Sequence, residues 1–490
     1  MSHALKKNIV IFAIIFTGIV NSAYSQEKGA LELSLEDVTN LALQNSLDIQ
    51  IAKFDAYIQR TSLKKQESLF DTFLKAEIGY SRNKREQSTT ILGEEEKEHH
   101  YSVGIEKKFP TGTALSLDAT GRKNRTDSTF TALNPYNEAE VEISITQELG
   151  KNFFGLADRA DIKITKLDIE NSDYTSLDAV EESIFSVQKA YWNFVLKDIR
   201  LSINEEMLEE ANKLYKIYKD KYEIGLAEES ELLAMEASMS ARLSEVFIAE
   251  LEKDNAKNEL LFLINQGEFE QRIKAKDTLD SSTRSADIYE ELKEAIKHRR
   301  DYMRKTNELK INNIEIVVKK NALWPQIDLE ATFTRNNLDS DGGSAWSGLS
   351  DNSNDEVGFA LSFKMPLENR EAKAELESVK LENQKLLLEL KRTERNILKE
   401  LHNKVNQVNT MQNQVELFGT TVKIHEHKLK KQVERLNYGR SDADTLIRYE
   451  EDLLGARLSL ATYLYQYKIS RIELTLAKNA LLDEYWKGPL

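Results

Sequence analysis

The sequence of 490 residues has no cysteine and only five prolines, and beyond residue 25 it has no apolar run long enough to cross a bilayer as a helix. The absence of cysteine excludes disulfide scaffolds, thiolate metal sites and thiol catalysis. Proline is missing from 136–324 and from 367–488, and glycine is missing between Gly155 and Gly225. Tracts without these helix breakers predict long helices.

The chain is acidic, with a formal net charge of −15 and 30% charged residues. This balance argues against nucleic-acid binding, which needs clustered Lys and Arg that carboxylates do not offset. No triad-like, phosphate-binding or metallohydrolase pattern occurs, so we expect no enzyme, no catalytic or cofactor-binding residue, no metal site and no cofactor. The length fits either two to four domains or one repeated architecture.

Residues 1–25 have the pattern of a secretory signal peptide. Lys6 and Lys7 precede an apolar run at 9–20, and Ala23-Tyr24-Ser25 forms a small-x-small cleavage site. The apolar run is shorter than the roughly 20 residues of a membrane-spanning helix, although a retained anchor is the alternative interpretation. An exported protein is therefore predicted.

Several segments alternate between apolar and polar residues with a period of two. The alternation is clear in three segments and weaker in three more: 73–81, 327–335 and 357–365, then 101–109, 115–120 and 139–146. Strands with one apolar and one polar face are typical of a membrane barrel, and equally of a half-buried sheet in a soluble protein. The polar, turn-rich connections at 82–100, 121–138 and 336–356 favour the barrel.

The rest of the chain is predicted to be helical. The helical regions cover 34–69, 158–265, 288–322 and 368–484, and the first begins with Ser34 as a capping residue. A helix over 158–224 would be about 100 Å long at roughly 1.5 Å per residue, which is far wider than a globular domain. Such helices must pack side by side against neighbours of similar length.

The two long tracts are interrupted by matching turns that contain Gly225 and Gly439, 214 residues apart. Each turn has a basic residue before the glycine and an acidic stretch with a Ser or Asp after it, which predicts a helical hairpin. The segments before the strands also match, because Ala42-Leu43 with Asp48 resembles Ala295-Ile296 with Asp301. We therefore predict one duplicated unit, with a first repeat over 26–280 and a second over 281–490.

In this order and spacing the chain resembles the TolC-like outer-membrane efflux protein (outer membrane factor) family. The resemblance rests on both glycine hairpins and on four short motifs: Leu33-Ser34-Leu35-Glu36-Asp37 with Ala42-Leu43, Tyr191-Trp192, Trp324-Pro325 and Met365-Pro366-Leu367. It implies an α+β membrane protein that forms a homotrimer. Strands of three chains would complete an outer-membrane β-barrel, which a long α-helical barrel would continue across the periplasm.

The resemblance also implies passive transport and no enzymatic reaction. The chain would be the exit duct of a tripartite efflux or type I secretion system in the cell outer membrane, with a large periplasmic portion. It would pass substrates from an inner-membrane transporter and a periplasmic adaptor protein to the exterior, and it would contact outer-membrane lipid. The rival interpretation is a soluble periplasmic coiled-coil scaffold or adaptor, in which the alternating segments form a small sheet.

The number of strand-like segments departs from the family, whose members contribute four strands per chain. Here up to six segments alternate, and the surplus lies between Tyr101 and Thr120 around a tight turn at 109–113. The surplus pair is either an extra hairpin beside the barrel or part of a larger barrel. We favour an accessory extension of the first pair of strands.

Three copies of each hairpin would converge at the inner end of the tunnel. The acidic residues at these tips, Asp442, Asp444, Glu228, Glu229 and Glu231, are therefore candidates for the pore aperture, because carboxylate rings favour cations. The alternative is that they are first-turn acids that stabilise helix N-termini. The constricting aspartates of the family fall at Thr445 and Arg448 here, so the two aspartates are assigned from proximity.

Two other sets of residues have weaker functional interpretations. Gly225, Leu232, Gly439 and Leu446 are candidate adaptor contacts at the hairpin tips, or plain hairpin structure. The pair His99-His100 lies beside several glutamates. A loop cluster without fixed geometry is a poor metal site, so we assign no metal there.

Overall fold

The computed structural model describes residues 31–84, 86, 91, 93–266, 270, 272–280, 282–351, 354–436, 438, 440, 442–483 and 485. The predicted signal peptide lies outside the described residues. The helices are α1 (Leu35–Asn45), α2 (Leu47–Glu67), α3 (Leu156–Glu223), α4 (Glu229–Leu263), α5 (Ile288–His298), α6 (Arg300–Asn321), α7 (Gly342–Asp351), α8 (Arg370–Leu436) and α9 (Ala443–Ala477). The strands are β1 (Leu31–Leu33), β2 (Thr72–Asn83), β3 (Glu96–Lys108), β4 (Thr113–Thr126), β5 (Tyr136–Glu148), β6 (Ile273–Ala275), β7 (Gln326–Asp339) and β8 (Asp355–Lys364).

The helices of the two halves match in length. α3 has 68 residues and α8 has 67, and each is followed by a helix of 35 residues, α4 and α9 respectively. α1 and α5 both have 11 residues, and their successors α2 and α6 have 21 and 22. The same order of helix, strands and helical hairpin thus occurs twice, as a duplicated unit would produce.

The predicted helices over 34–69 and 288–322 are each divided in two. The first begins as predicted, because the Ser34 hydroxyl accepts a hydrogen bond from the Asp37 amide at 3.1 Å. It then breaks at Ser46, which has ψ 128°. The second breaks at Arg299, whose guanidinium donates to the Ala477 carbonyl oxygen at 2.7 Å and to Glu400 at 2.8 Å. Tertiary contacts hold this second break, so a local breaker residue is not required.

Six strands form one antiparallel sheet in the order β2-β3-β4-β5-β7-β8. The sequence-based preference for an accessory extension is therefore wrong, because β3 and β4 lie in the middle of the sheet. β3 pairs with β2 from Glu96 to Lys107 and with β4 from Glu96 to Lys108. The hairpin is held by hydrogen bonds along both of its outer edges, since β4 also pairs with β5.

The connection predicted as a polar loop at 336–356 contains helix α7. This helix packs on β5 and β7, and the Asn337 amide donates to the Ala345 carbonyl oxygen at 3.0 Å. The Trp346 indole donates to the Tyr101 hydroxyl at 3.0 Å. The prediction of an unstructured loop was wrong because these packing contacts compensate for the weak helix propensity of a glycine- and serine-rich segment.

The chain divides into two compact units. The first comprises Met1–Ser46, Ile184–Ser285 and Asn409–Arg471, and the second comprises Leu47–Ser183, Ala286–Val408 and Ile472–Leu490. In the first, β1 and β6 form a parallel pair, and the buried Tyr191 hydroxyl donates to Asp277 at 2.8 Å. The second contains the six-stranded sheet. The helical hairpin tips belong to the first unit.

Candidate functional site

The two hairpin tips close in the same way. After α3, the Leu226 amide donates to the Lys221 carbonyl oxygen at 2.7 Å and the Gly225 amide donates to the Tyr222 carbonyl oxygen at 3.0 Å. This pair of bonds is a Schellman motif, and Gly225 at its centre has a φ of +76° that favours glycine. After α8, the Arg440 amide donates to the Arg435 carbonyl oxygen at 3.0 Å, which is the equivalent bond. Gly439 itself lies outside the described residues.

Two of the candidate aperture acids accept hydrogen bonds at helix N-termini. The Asp442 carboxylate accepts from the Thr445 amide at 2.7 Å and from the Thr445 hydroxyl at 2.9 Å. The bond from the amide holds the pKa of Asp442 below its usual value. Glu231 accepts from the Glu228 amide at 3.1 Å. These two acids therefore act as helix caps, which is one of the two interpretations open from the sequence.

The remaining candidates lie in the same turns. Glu228 accepts from the Ser230 hydroxyl at 3.4 Å. Glu229 and Asp444 lie in the first turns of α4 and α9. Glu228, Glu229 and Asp444 are exposed, as is Asp442, so their charges remain at the surface of the tip.

Acids from both hairpins converge on one buried tyrosine. The Tyr218 side chain is 2% exposed, and its hydroxyl has no hydrogen-bond partner among the described residues. Burial raises its pKa to about 12, and the negative charges of Glu231, Asp442 and Asp444 act in the same direction. The fold therefore brings together acids that are more than 200 positions apart in the sequence.

A small apolar core joins the two tips beneath these acids. It consists of Leu214, Tyr218, Met235, Leu436, Ala443 and Leu446. Leu446 is fully buried, with no exposed side-chain surface. This burial favours plain hairpin structure, one of the two interpretations open from the sequence, because the position of Leu446 on α9 faces the other hairpin. Leu232 is partly exposed and Gly225 is exposed.

Sequence reasoning missed the apolar side chains that the tips do expose. Ile224, Leu226 and Leu233 are 69%, 73% and 56% exposed, and Tyr438 is 80% exposed. Three of these residues flank the turn glycines directly, a position where an apolar side chain cannot reach the helix interface. Apolar residues next to Gly225 and Gly439 in the sequence could thus have predicted the exposed apolar surface of the tips.

Further along α9, Glu450 is buried between the helices and is 4% exposed. Burial raises its pKa to about 7, although the positive charge of Arg242 on α4 opposes the shift. Glu210 on α3 and Glu451 on α9 add to the rise. Arg242 itself is buried and pairs with Glu245 at 3.0 Å. The buried carboxyl is thus close to half protonated at neutral pH.

We expect Glu450 to make the folded chain less stable as the pH rises. Between about pH 4.5 and 7 the folded state keeps a proton that the unfolded state has released, so stability falls through this window. The loss amounts to about 3 kcal/mol at about 1.36 kcal/mol per pKa unit. Glu450→Gln should remove this slope in thermal melts recorded from pH 4.5 to 8 in detergent. Glu451→Gln changes an exposed neighbour whose charge is the smallest of the causes named, so it should retain most of the slope, and equal slopes in both variants would contradict the assignment.

The six-stranded sheet has one apolar and one polar face. One row of opposed residues crosses all six strands on the apolar face: Leu74, Ile105, Leu117, Ile143, Phe333 and Val357. These side chains are between 38% and 74% exposed, so the chain itself does not cover them. The adjacent row on the other face is Lys75, Gly104, Asp118, Glu142, Thr334 and Glu356. The alternation predicted from the sequence is confirmed for every strand.

The polar face carries more acidic than basic groups. Its acids include Glu77, Glu98, Glu106, Asp118, Glu138, Glu140, Glu142, Glu330 and Glu356, and its basic residues are Lys75, Lys108, Arg122 and Lys364. Part of this charge is paired, since Arg122 lies 3.4 Å from Glu138 and 3.6 Å from Glu140. An acidic face of this kind attracts cations and repels anions.

The strands run between two opposite ends of the sheet, and the connections at these two ends differ. The strands that connect to the long helices all do so at the same end of the sheet, where a short turn at 109–112 links β3 to β4. The connections from Asn83 to Glu96, from Thr126 to Tyr136 and from Asp339 to Asp355 are longer, and the strand ends that they join all lie at the opposite end of the sheet. Short turns on one side and long ones on the other are typical of outer-membrane strands.

His99 and His100 lie on β3, with the His100 ring 3.1 Å from the Glu77 carboxylate and the His99 ring stacked near Tyr80. No group of three or more His, Asp or Glu side chains in the described part of the chain has the geometry of a metal site. Within the same residues, every helix is too short or too polar to cross a lipid bilayer.

Comparisons with known proteins agree with this geometry. Residues 292–480 match the family model for outer membrane efflux proteins. The fold is similar to that of CusC, with a TM-score of 0.69 and 16% identity over 94% of this chain and 96% of that one. It is also similar to the CmeC outer membrane channel of Campylobacter jejuni, with a TM-score of 0.65 and 16% identity over 94% and 93%. No curated protein sequence matches the chain.

A third similar structure is the outer membrane protein VceC of Vibrio cholerae, with a TM-score of 0.66 and 15% identity over 91% of this chain and 96% of that one. At such identities the likeness concerns the fold. Together with the match over residues 292–480, it confirms the predicted resemblance to outer-membrane efflux proteins.

Proposed function

We propose that the chain is the exit duct of a tripartite efflux or type I secretion system. Three copies form the duct, and their sheets close a β-barrel in the outer membrane. The long helices continue it as an α-helical barrel across the periplasm. The duct passes substrates passively, because an inner-membrane transporter and a periplasmic adaptor supply the energy and the opening.

The observation that carries this proposal is a sheet with one apolar and one polar face, whose long helices all connect at the same end of the strands. Its apolar face is exposed in the single chain and suits lipid, whereas its polar face suits an aqueous lumen. A single sheet with two open edges is not stable in lipid, because unpaired backbone groups there cost several kcal/mol each. Closure by further copies of the chain removes those edges.

Membrane extraction tests the proposal. The expected result is a protein that fractionates with outer membranes, needs detergent for extraction, and has the mass of a trimer in native mass spectrometry. A monomer released without detergent would contradict the duct and favour the soluble coiled-coil scaffold. Reconstituted trimers should also conduct ions across planar bilayers.

We assign the closed aperture to the acids of the hairpin tips. Asp442, Asp444 and Glu231 support this assignment because they come from both hairpins and their charges act on one side chain, that of Tyr218, so three copies of the tip would repeat this group of acids. Glu228 and Glu229 add exposed charge in the first turn of α4. Capping does not remove the charge of Asp442, since its lowered pKa keeps the carboxylate ionised.

Neutralising the two aspartates should change the behaviour of the pore. Asp442→Asn with Asp444→Asn is expected to raise single-channel conductance or to weaken block by divalent cations, because the ring of negative charge is lost. Asp254→Asn with Glu250→Gln makes the same charge change on an exposed part of α4 and should leave block unchanged. If both pairs of substitutions behave alike, the aspartates are not at the aperture.

The adaptor is proposed to bind the exposed apolar residues of the tips. Gly225, Leu232 and Gly439 remain candidates, and Leu226 and Tyr438 join them because they are 73% and 80% exposed. Exposed apolar side chains at a turn have no packing role within the chain, so contact with a partner is the role that suits them.

A further inference from the structure

The β3–β4 hairpin has the same environment as the other strands of the sheet. Ile105 on β3 and Leu117 on β4 lie in the same apolar row as Ile143, and they are 46%, 44% and 38% exposed. On the other face Asp118 continues the polar row between β3 and Glu142. A hairpin folded away from the wall would have no reason to keep this alternation in register with four other strands.

The turn of this hairpin is also fixed to the base of the sheet. Lys108 lies 2.8 Å from Asp158 at the start of α3, and Arg159 donates to the Pro110 carbonyl oxygen at 2.8 Å. Gly112 and Gly155 approach so closely that a Cβ on Gly112 would lie 2.5 Å from the Gly155 amide nitrogen. The hairpin is thus held at its turn as well as along both edges.

The outer strands of the sheet are β2 and β8, and they run in opposite directions because five antiparallel pairings separate them. β8 of one copy can therefore pair with β2 of the next in antiparallel fashion, as a closed ring requires. Both strands are exposed along nearly their whole length. They are the surfaces that a second copy of this chain fits.

We propose that three copies close a wall of eighteen strands, with β3 and β4 as integral members, since each chain contributes six. This inference rests on the proposed trimeric duct. Barrel diameter grows roughly linearly with strand number, so the exit is about one and a half times as wide as one built from four strands per chain. Barrels of about 16 to 18 strands enclose an aqueous channel, so the acidic face of β3–β5 lines the lumen.

Single cysteines test this arrangement on a chain that has no cysteine of its own. Leu117→Cys in β4 should react only with a lipid-soluble maleimide, and Asp118→Cys should react with a sulfonated, membrane-impermeant maleimide through the lumen. Leu329→Cys and Glu330→Cys are the matched pair on β7, which belongs to the wall in either arrangement. Trimers in lipid nanodiscs provide the intact assembly for the labelling.

The outcomes separate the inference from the proposed function. If the β7 pair alternates and the β4 pair does not, the hairpin lies outside the wall and the eighteen-stranded ring is wrong. If neither pair alternates, the membrane duct itself is wrong. Alternation of both pairs supports both proposals, and electron cryomicroscopy of the same trimers should then resolve eighteen strands in cross-section.

A deletion provides a second measurement. Removal of 84–126 joins Asn83 to Asp127 and leaves the existing connection to β5. The register then places Leu74 opposite Ile143, so the two faces of the sheet are preserved. We expect a trimer whose wall is about two thirds as wide, measured by electron cryomicroscopy. An unchanged wall diameter would show that the hairpin was never part of the ring.

Discussion

Glu181→Ala is expected to lower the stability of the sheet-bearing unit by about 3–5 kcal/mol, the usual effect of removing one partner from a buried ion pair. The Glu181 carboxylate has no exposed surface and lies 2.6 Å from the Arg300 guanidinium. Its other oxygen accepts from the backbone amides of Leu481 and Leu482 at 2.7 and 3.2 Å. Asn479 donates at 3.0 Å to Oε2, the same oxygen that accepts from Arg300.

The size of the effect follows from the groups that lose their partner. Arg300 is 7% exposed, and without Glu181 its acidic partner among the described residues is Asp178 at 3.0 Å. The buried backbone amides of Leu481 and Leu482 lose this acceptor at the same time, and each unsatisfied group costs about 1–3 kcal/mol. The segment that follows α9 should therefore detach before the rest of the unit unfolds.

The measurement is a thermal melt followed by circular dichroism in detergent, together with limited proteolysis of the C-terminal segment. Glu182→Ala is the matched control, because Glu182 is adjacent and exposed. Glu181→Leu combined with Arg300→Met should recover only the part of the loss that comes from the unpaired guanidinium, since the amides of Leu481 and Leu482 still lack the carboxylate. A melt of Glu181→Ala equal to that of the control would mean that the carboxylate is dispensable.

The contacts of Glu181 illustrate what the sequence does not reveal. The long helices, both hairpins and all six strands of the sheet could be predicted, because breaker residues and alternation are local signals. Glu181 lies on α3, its partners come from α6 and the segment after α9, and no local pattern connects them. The same holds for Tyr218, which acids from two hairpins surround.

The errors made from the sequence share a physical cause. α7 was predicted as a loop, but contacts of Asn337 and Trp346 stabilise it as a helix. The hairpin around Pro110 was placed beside the sheet, because weak alternation says which face of a strand is apolar but does not identify the strands beside it. In each case tertiary packing decided between options that local sequence left equal.

Leu446 shows most directly that tertiary packing decides what local sequence leaves open. Its substitution is the second change from which we expect a large effect. On α9 the residue lies in the first turns after the hairpin, a region where sequence alone allows either a tip surface or a helix interface. It is fully buried against Tyr218, Met235 and Leu436. Leu446→Ala should therefore cost about 2–5 kcal/mol, as large-to-small changes in cores do.

Leu226→Ala makes the same chemical change at the other tip, where the side chain is 73% exposed. It should change stability by less than about 0.5 kcal/mol, because exposed substitutions away from packed features have small effects. In thermal melts of the detergent-solubilised trimer, the two variants therefore separate packing from docking. Leu446→Ala should lower the melting temperature, whereas Leu226→Ala should leave it unchanged and weaken cross-linking to the adaptor. A reversed pattern would place Leu446 at the partner surface, the other interpretation open from the sequence, and would require the two tips to separate before the adaptor binds.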